Sequence, residues 1–218
     1  MKNLSVLLTS VVTVLIGGCI PVMSLHPLYH ESDLVFEEAL VGAWNDDPND
    51  PNEAWSFSRL RDTNDLLLRD DLKEKADKLY LLSLKNDGER KGLFLAGLIK
   101  LDDRYYLDLF PAKYPSGVTD IDTLPLPFNA LFMTPLHTFM RVQFEENQLK
   151  LSLTDDDSME KLFKAHPDAV DYLEVHDDQL LLTASTCALQ TFVKRYAEDE
   201  RLFEEATSLQ RLPVDSHP

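Results

Sequence analysis

From residue 54 onward, short apolar segments follow one another, some of them with apolar side chains at every second position, the period of a strand with one buried face. In "AWSFSRL" (54–60), Trp55, Phe57 and Arg59 alternate with Ser56 and Ser58. "KLYLLSL" runs through Asn86-Asp87-Gly88-Glu89 into "KGLFLAGLIK". Asp-Gly between apolar strands predicts a type I′ hairpin, because both central residues of that turn need positive φ. "LDDR" (101–104) then turns the chain into "YYLDLF". "EENQ" joins "HTFMRVQF" to "LKLSL", and "HDDQ" joins "DYLEVH" to "LLLTA". Upstream, "EEALVGAW" reads as a short helical turn ending near Gly42, followed by a strand that carries Trp44. The pattern predicts about eight or nine antiparallel strands, nearly all joined to their neighbours by tight turns.

Two stretches change the period. Asp157 followed by Glu160 resembles a capping box, and Met159, Leu162 and Phe163 give the helix after it an apolar face up to Pro167. Ser185 or Thr186 caps a second helix, on which Leu189, Phe192, Val193, Tyr196 and Ala197 form one stripe. A stripe of that kind is a packing surface, and a helix laid on the sheet explains why residues 93–99 are apolar on both alternations. Leu68, Leu72, Ala76 and Leu79 suggest a third short helix within 62–78. The fold class expected is therefore mainly β, an up-and-down meander forming a closed or open barrel, with two or three short helices.

The N-terminus follows neither rhythm. Lys2 precedes an uncharged apolar run from Leu4 to Ile16, which fits the 7–15 residues of a signal-peptide core and is short of the roughly 20 a spanning helix needs. An uncleaved anchor stays open as the rival, since no charge occurs from Leu4 to Met23; Gly17, Gly18 and Pro21 weaken it, and no basic cluster follows. Ile16-Gly17-Gly18-Cys19 resembles the lipobox of bacterial lipoprotein precursors. That resemblance implies cleavage before Cys19, acylation of Cys19, and residence in the bacterial cell envelope, anchored in a membrane and facing the periplasm or the exterior. The division expected is a signal peptide (1–18), a lipidated tether (19–36), one β-rich domain (37–212) and a disordered tail (213–218).

Charge narrows the partners. The net charge of −17 becomes −18 once Lys2 is removed, a surface that repels phosphate backbones and anionic headgroups. Nucleic acid is excluded on this ground, and membrane contact is left to the lipid alone. With Cys19 acylated, Cys187 has no disulfide partner, so a hydrophobic core must hold the fold.

Gly42-Ala43-Trp44 at the first strand, the antiparallel meander and the late amphipathic helix resemble the lipocalin plan. The resemblance implies an eight-stranded barrel holding a small apolar ligand, with the family's closing basic residue placed at Arg195. The helical insertions depart from that plan. The opening "HPLY…DLVF…LVGAW" is also similar to uncharacterised bacterial lipoproteins, which implies no activity.

Chemistry is sparse. The histidines at 26, 30, 137, 166, 176 and 217 form neither H-x-H nor H-E-x-x-H, and no phosphate loop, nucleophile elbow or C-x-x-C occurs. No metal, cofactor or catalytic residue is assigned, and an enzyme is the weakest reading. Asn45, Asp47 and Asn49 alternate as calcium ligands would, but Asp50 stands where an EF-hand loop needs glycine; a solvated hairpin loop accounts for them. Cys187, in a first helical turn, reads as a buried small apolar residue rather than a nucleophile. The loop from Pro111 to Leu136 is the exception, because long structureless loops are often functional. Its Leu126, Phe128, Leu131, Phe132 and Met133 either plug the barrel or form a lid or partner patch, with His137 at the loop's end. The functions expected are, in order, binding of a small apolar ligand or an envelope protein, then an accessory lipoprotein with a filled core, then an enzyme.

Overall fold

Asp87 and Gly88 both adopt left-handed backbone, with φ of 51° and 77°, and close the hairpin the sequence demands of them. That hairpin joins the longest strand of a barrel to the strand before it. The computed structural model describes residues 21–50, 52–63, 72, 74–112, 134–175 and 179–213. Its strands are β1 (Met23–Ser24), β2 (Gly42–Asn45), β3 (Ala54–Arg59), β4 (Leu79–Asn86), β5 (Glu89–Leu101), β6 (Arg104–Pro111), β7 (Thr138–Glu145), β8 (Gln148–Ser152), β9 (Tyr172–Glu174), β10 (Leu180–Leu182) and β11 (Thr207–Arg211). Among the described residues the chain also forms helices α1 (Asp156–Ala165) and α2 (Thr186–Arg195) and three short 3-10 turns.

β2 to β8 pair in sequence order, and β11 closes the ring between β8 and β2. The result is an eight-stranded, closed, antiparallel barrel of lipocalin-like form, as the meander implies. Two details differ from the sequence reading. "DYLEVH" and "LLLTA" are not barrel staves: as β9 and β10 they form a separate three-stranded sheet with β1. The closing stave is instead Thr207–Arg211, which has one apolar residue, Leu209, and so little strand signal.

Alternation along the staves sorts side chains into two cores. Trp44, Trp55, Phe57, Tyr80, Leu82, Leu98, Leu107, Met140 and Leu149 point inward and fill the lumen. Leu81, Leu95, Ile99, Tyr106 and Phe139 point outward and meet Met159, Leu162 and Phe163 of α1 and Leu189, Phe192 and Val193 of α2. β5 is apolar on both faces because it serves both cores.

Caps and seam follow local chemistry. Asp155, not Asp157, caps α1, accepting a hydrogen bond from the Ser158 amide at 2.9 Å. Ser185 caps α2. Cys187 is exposed, contrary to expectation, because it lies off the buried stripe that begins at Leu189. The basic residue over the first-strand tryptophan is Arg211, not Arg195: its guanidinium stands 4.2 Å from the Trp44 ring and donates to the carbonyls of Val41 and Ala39. Gly42 is needed there on two counts, since its φ is 135° and a Cβ would lie 2.6 Å from Arg211 Nη1.

The segment expected as a tether is built into the body from Pro21. Val22 and Leu28 are fully buried, Leu34 nearly so, and Pro21 forms a β-bridge with Asp155. The folded unit therefore includes residues 21–36, which lie ahead of the boundary expected at residue 37. Tyr80 helps to hold the strap: its hydroxyl donates to the Glu37 carbonyl and accepts from the Glu37 amide at 2.6 Å. Burial pushes this phenol up to about 12, above its ordinary 10.0. A raised phenol stabilises the fold fully below pH 10, and that contribution falls as pH rises towards about 12. Alkaline unfolding followed by tyrosinate absorbance should therefore show this ring ionising only as the fold opens, and Tyr80→Phe should flatten the stability loss over that interval.

Candidate functional site

With the lumen filled, the place to look is the outer wall. On β6, Leu107 and Leu109 face the lumen, so Tyr106, Asp108 and Phe110 face outward. In the antiparallel register Asp108 pairs with Phe139 and Leu109 with Thr138, which sets His137 diagonally beside Asp108 and across from Phe110. The diagonal is short enough for a bond: His137 Nδ1 lies 2.7 Å from Asp108 Oδ1. The imidazole also rests on the Phe110 ring, centroids 4.6 Å apart.

The strap covers this pair. The Leu28 amide donates to Asp108 Oδ2 at 2.8 Å, and Ser24 and His137 exchange backbone hydrogen bonds of 2.8 and 2.9 Å. Thr186 of α2 donates to the Pro27 carbonyl and Gln190 to that of Leu28, so helix, strap and barrel wall are stitched at one place. Asp108 is left 1% exposed, and burial pushes its carboxyl up, opposed by the His137 hydrogen bond and the Leu28 amide. Tyr29 beside it is pushed up to about 12, by burial first and then by the Asp108 and Glu31 charges.

His137 faces outward from this seam onto a cleft of about 710 Å³. Leu79, Leu95, Phe110 and Pro135 supply an apolar wall, and Tyr29, His30, Thr186 and a Lys75–Glu31 ion pair supply the polar edge. With Nδ1–H committed to the carboxylate, a neutral His137 presents the lone pair of Nε2 as an acceptor, and Nε2 has no hydrogen-bond partner among the described residues. Chemically, the arrangement can grip an apolar body and accept one hydrogen bond from it.

Of the residues the sequence singled out, only His137 can be placed here. Cys19, Leu126, Phe128, Leu131, Phe132 and Met133 lie outside the described residues. Ala112 and Pro135, at the two described ends of that loop, both line the cleft. The acidic loop at 45–50 uses its side chains on itself: Asn45, Asp47 and Asp50 accept from the amides of Asp47, Asn49 and Asn52. Among the described residues no three metal-ligating side chains converge. Sequence reasoning missed Asp108, although a lone carboxylate in the apolar run "YYLDLF" is the kind of signal that finds such a residue. Set beside known proteins, the chain matches no family model, no curated protein and no solved structure.

Proposed function

We propose that this chain is a lipid-anchored protein of the bacterial cell envelope that acts by binding, and that its ligand sits in the cleft beside His137 rather than inside the barrel. One observation carries the choice of place: Trp44, Trp55, Tyr80 and Leu82 occupy the lumen where a lipocalin would hold its ligand, while an apolar, histidine-edged cleft lies on the outer wall. The ligand class is a small, largely apolar molecule, or an apolar segment of an envelope protein, with one hydrogen-bond donor for Nε2. An anionic head is disfavoured by Asp108 behind the ring and Glu31 at the edge. Binding rather than turnover is favoured because His137 already has a full structural role, bonded to Asp108, packed against the tilted Phe110 ring and paired with Ser24.

Native mass spectrometry of the protein extracted from its own membrane tests this. The expected result is an adduct in the wild type that weakens in His137→Ala. A protein that never carries an adduct, and whose His137→Ala form differs only in stability, would support the second reading. That reading, an accessory lipoprotein with a filled core, is favoured by the same packed lumen.

A further inference from the structure

All three large apolar side chains that stand exposed among the described residues lie on one surface. Leu25 is 42% exposed, Leu173 57% and Val175 42%, and each belongs to or adjoins the small sheet. Register explains why. Met23 pairs with Leu181 and Leu181 with Leu173, so these three form a row across β1, β10 and β9. The alternate positions, Val22, Ser24, Leu180 and Leu182, are buried against the body. Leu25, two residues after Met23, and Val175, two after Leu173, extend the outward row into a patch. A contiguous apolar patch of this kind needs a covering surface, and no basic residue occurs among its five members.

The chain itself says which surface is at hand. Pro21 is held by its bridge to Asp155, and only Ile20 separates it from Cys19. Two residue steps span at most about 7 Å, so an acylated Cys19 would hold the body against its bilayer with no slack for rotation away. Resting on the lipid-anchor reading above, we propose that the outward face of the three-stranded sheet, Met23, Leu25, Leu173, Val175 and Leu181, lies on the bilayer that receives the Cys19 chains. The contact is apolar rather than electrostatic. Asp156 and Asp157 stand next to the Pro21 bridge, so the surface fits zwitterionic headgroups and its hold is insensitive to salt.

The test uses the full mature chain carrying Cys187→Ser, reconstituted in phosphatidylcholine vesicles, with an environment-sensitive fluorophore on Leu173→Cys or, as control, on Glu146→Cys. Glu146 sits in the turn at the end of β7 remote from His137. Intact mass is read first, because an unacylated Cys19 overturns the anchor and this proposal with it. With the acyl chains present, the expected result is blue-shifted emission at position 173 that nitroxide-bearing acyl chains quench several-fold more than at 146. The combined Leu25→Ser, Leu173→Ser, Val175→Ser variant is expected to keep its melting point and, labelled at position 181 through Leu181→Cys, to lose the quenching that the same label shows when those three residues are unchanged. Water-like emission at 173 in an acylated protein would overturn the proposal and leave the anchor standing. A dimer in sedimentation that the triple variant abolishes would overturn it in favour of a second copy of the chain.

Discussion

Trp44→Ala is expected to lower the stability of the folded chain by roughly 3–5 kcal/mol, the cost of a large core truncation, and to lower the melting temperature by about 10 °C or more. The side chain is 2% exposed, its indole N–H donates to the Leu40 carbonyl at 3.0 Å, and its ring carries the Arg211 guanidinium. It also sits at the weakest seam of the barrel, where β11 pairs with β2 through only Gln210–Asn45 and Arg211–Trp44. Truncation therefore removes packing and loosens closure together. Calorimetry on Trp44→Ala, Arg211→Ala and the double variant checks this. The two single losses should sum to more than the double, since each removes the same stacked contact. Strict additivity would mean that the guanidinium contributes nothing through the ring.

Asp108→Ala is the second large effect. Removing a buried carboxylate leaves the Leu28 amide and the His137 Nδ1–H without partners under a layer of packed side chains. Each buried donor left unsatisfied costs roughly 1–3 kcal/mol, so the two together set a loss of about 2–6 kcal/mol. Asp108→Asn keeps an acceptor for the Leu28 amide and should recover part of that loss. Hydrogen exchange adds a local readout: the amides of Ser24, Leu28 and His137 should lose protection in Asp108→Ala before those of β4 and β5 do. Uniform loss across the barrel would show that the strap and the wall unfold as one unit.

Where these residues were legible follows from the reach of their signals. Hairpins are written locally, so Asp87-Gly88 could be read as a turn and β4 and β5 placed around it. The stripe from Leu189 to Ala197 is local in the same way, and the helix it predicts accounts for the double-sided apolarity of 93–99. Closure is not local. β11 is five residues with one buried apolar side chain, and only its partners β8 and β2 make it a strand. β9 and β10 satisfy the hairpin pattern, which on its own makes them indistinguishable from barrel staves. What moves them to another sheet is β1, whose parallel pairing with β10 has no signature in sequence. The candidate site has the same character: His137 stood out as a loop-end histidine, but Asp108 gained its meaning from a diagonal across two strands and from the amide of Leu28.

The order of the staves also sets when the barrel can form. Seven of them are made consecutively, yet the eighth follows α1, β9, β10 and α2, and it must reach back to β2 near the start of the folded unit. A contact between such distant parts of the chain is slow to find, because loop closure costs entropy before pairing returns any of it. Until Thr207–Arg211 arrives, β2 and β8 are open edges with unpaired amides and carbonyls. A chain cut or stalled ahead of that segment thus exposes two strand edges at once, each a template for pairing with another molecule. The last short stave acts as the lock against self-association of the whole fold.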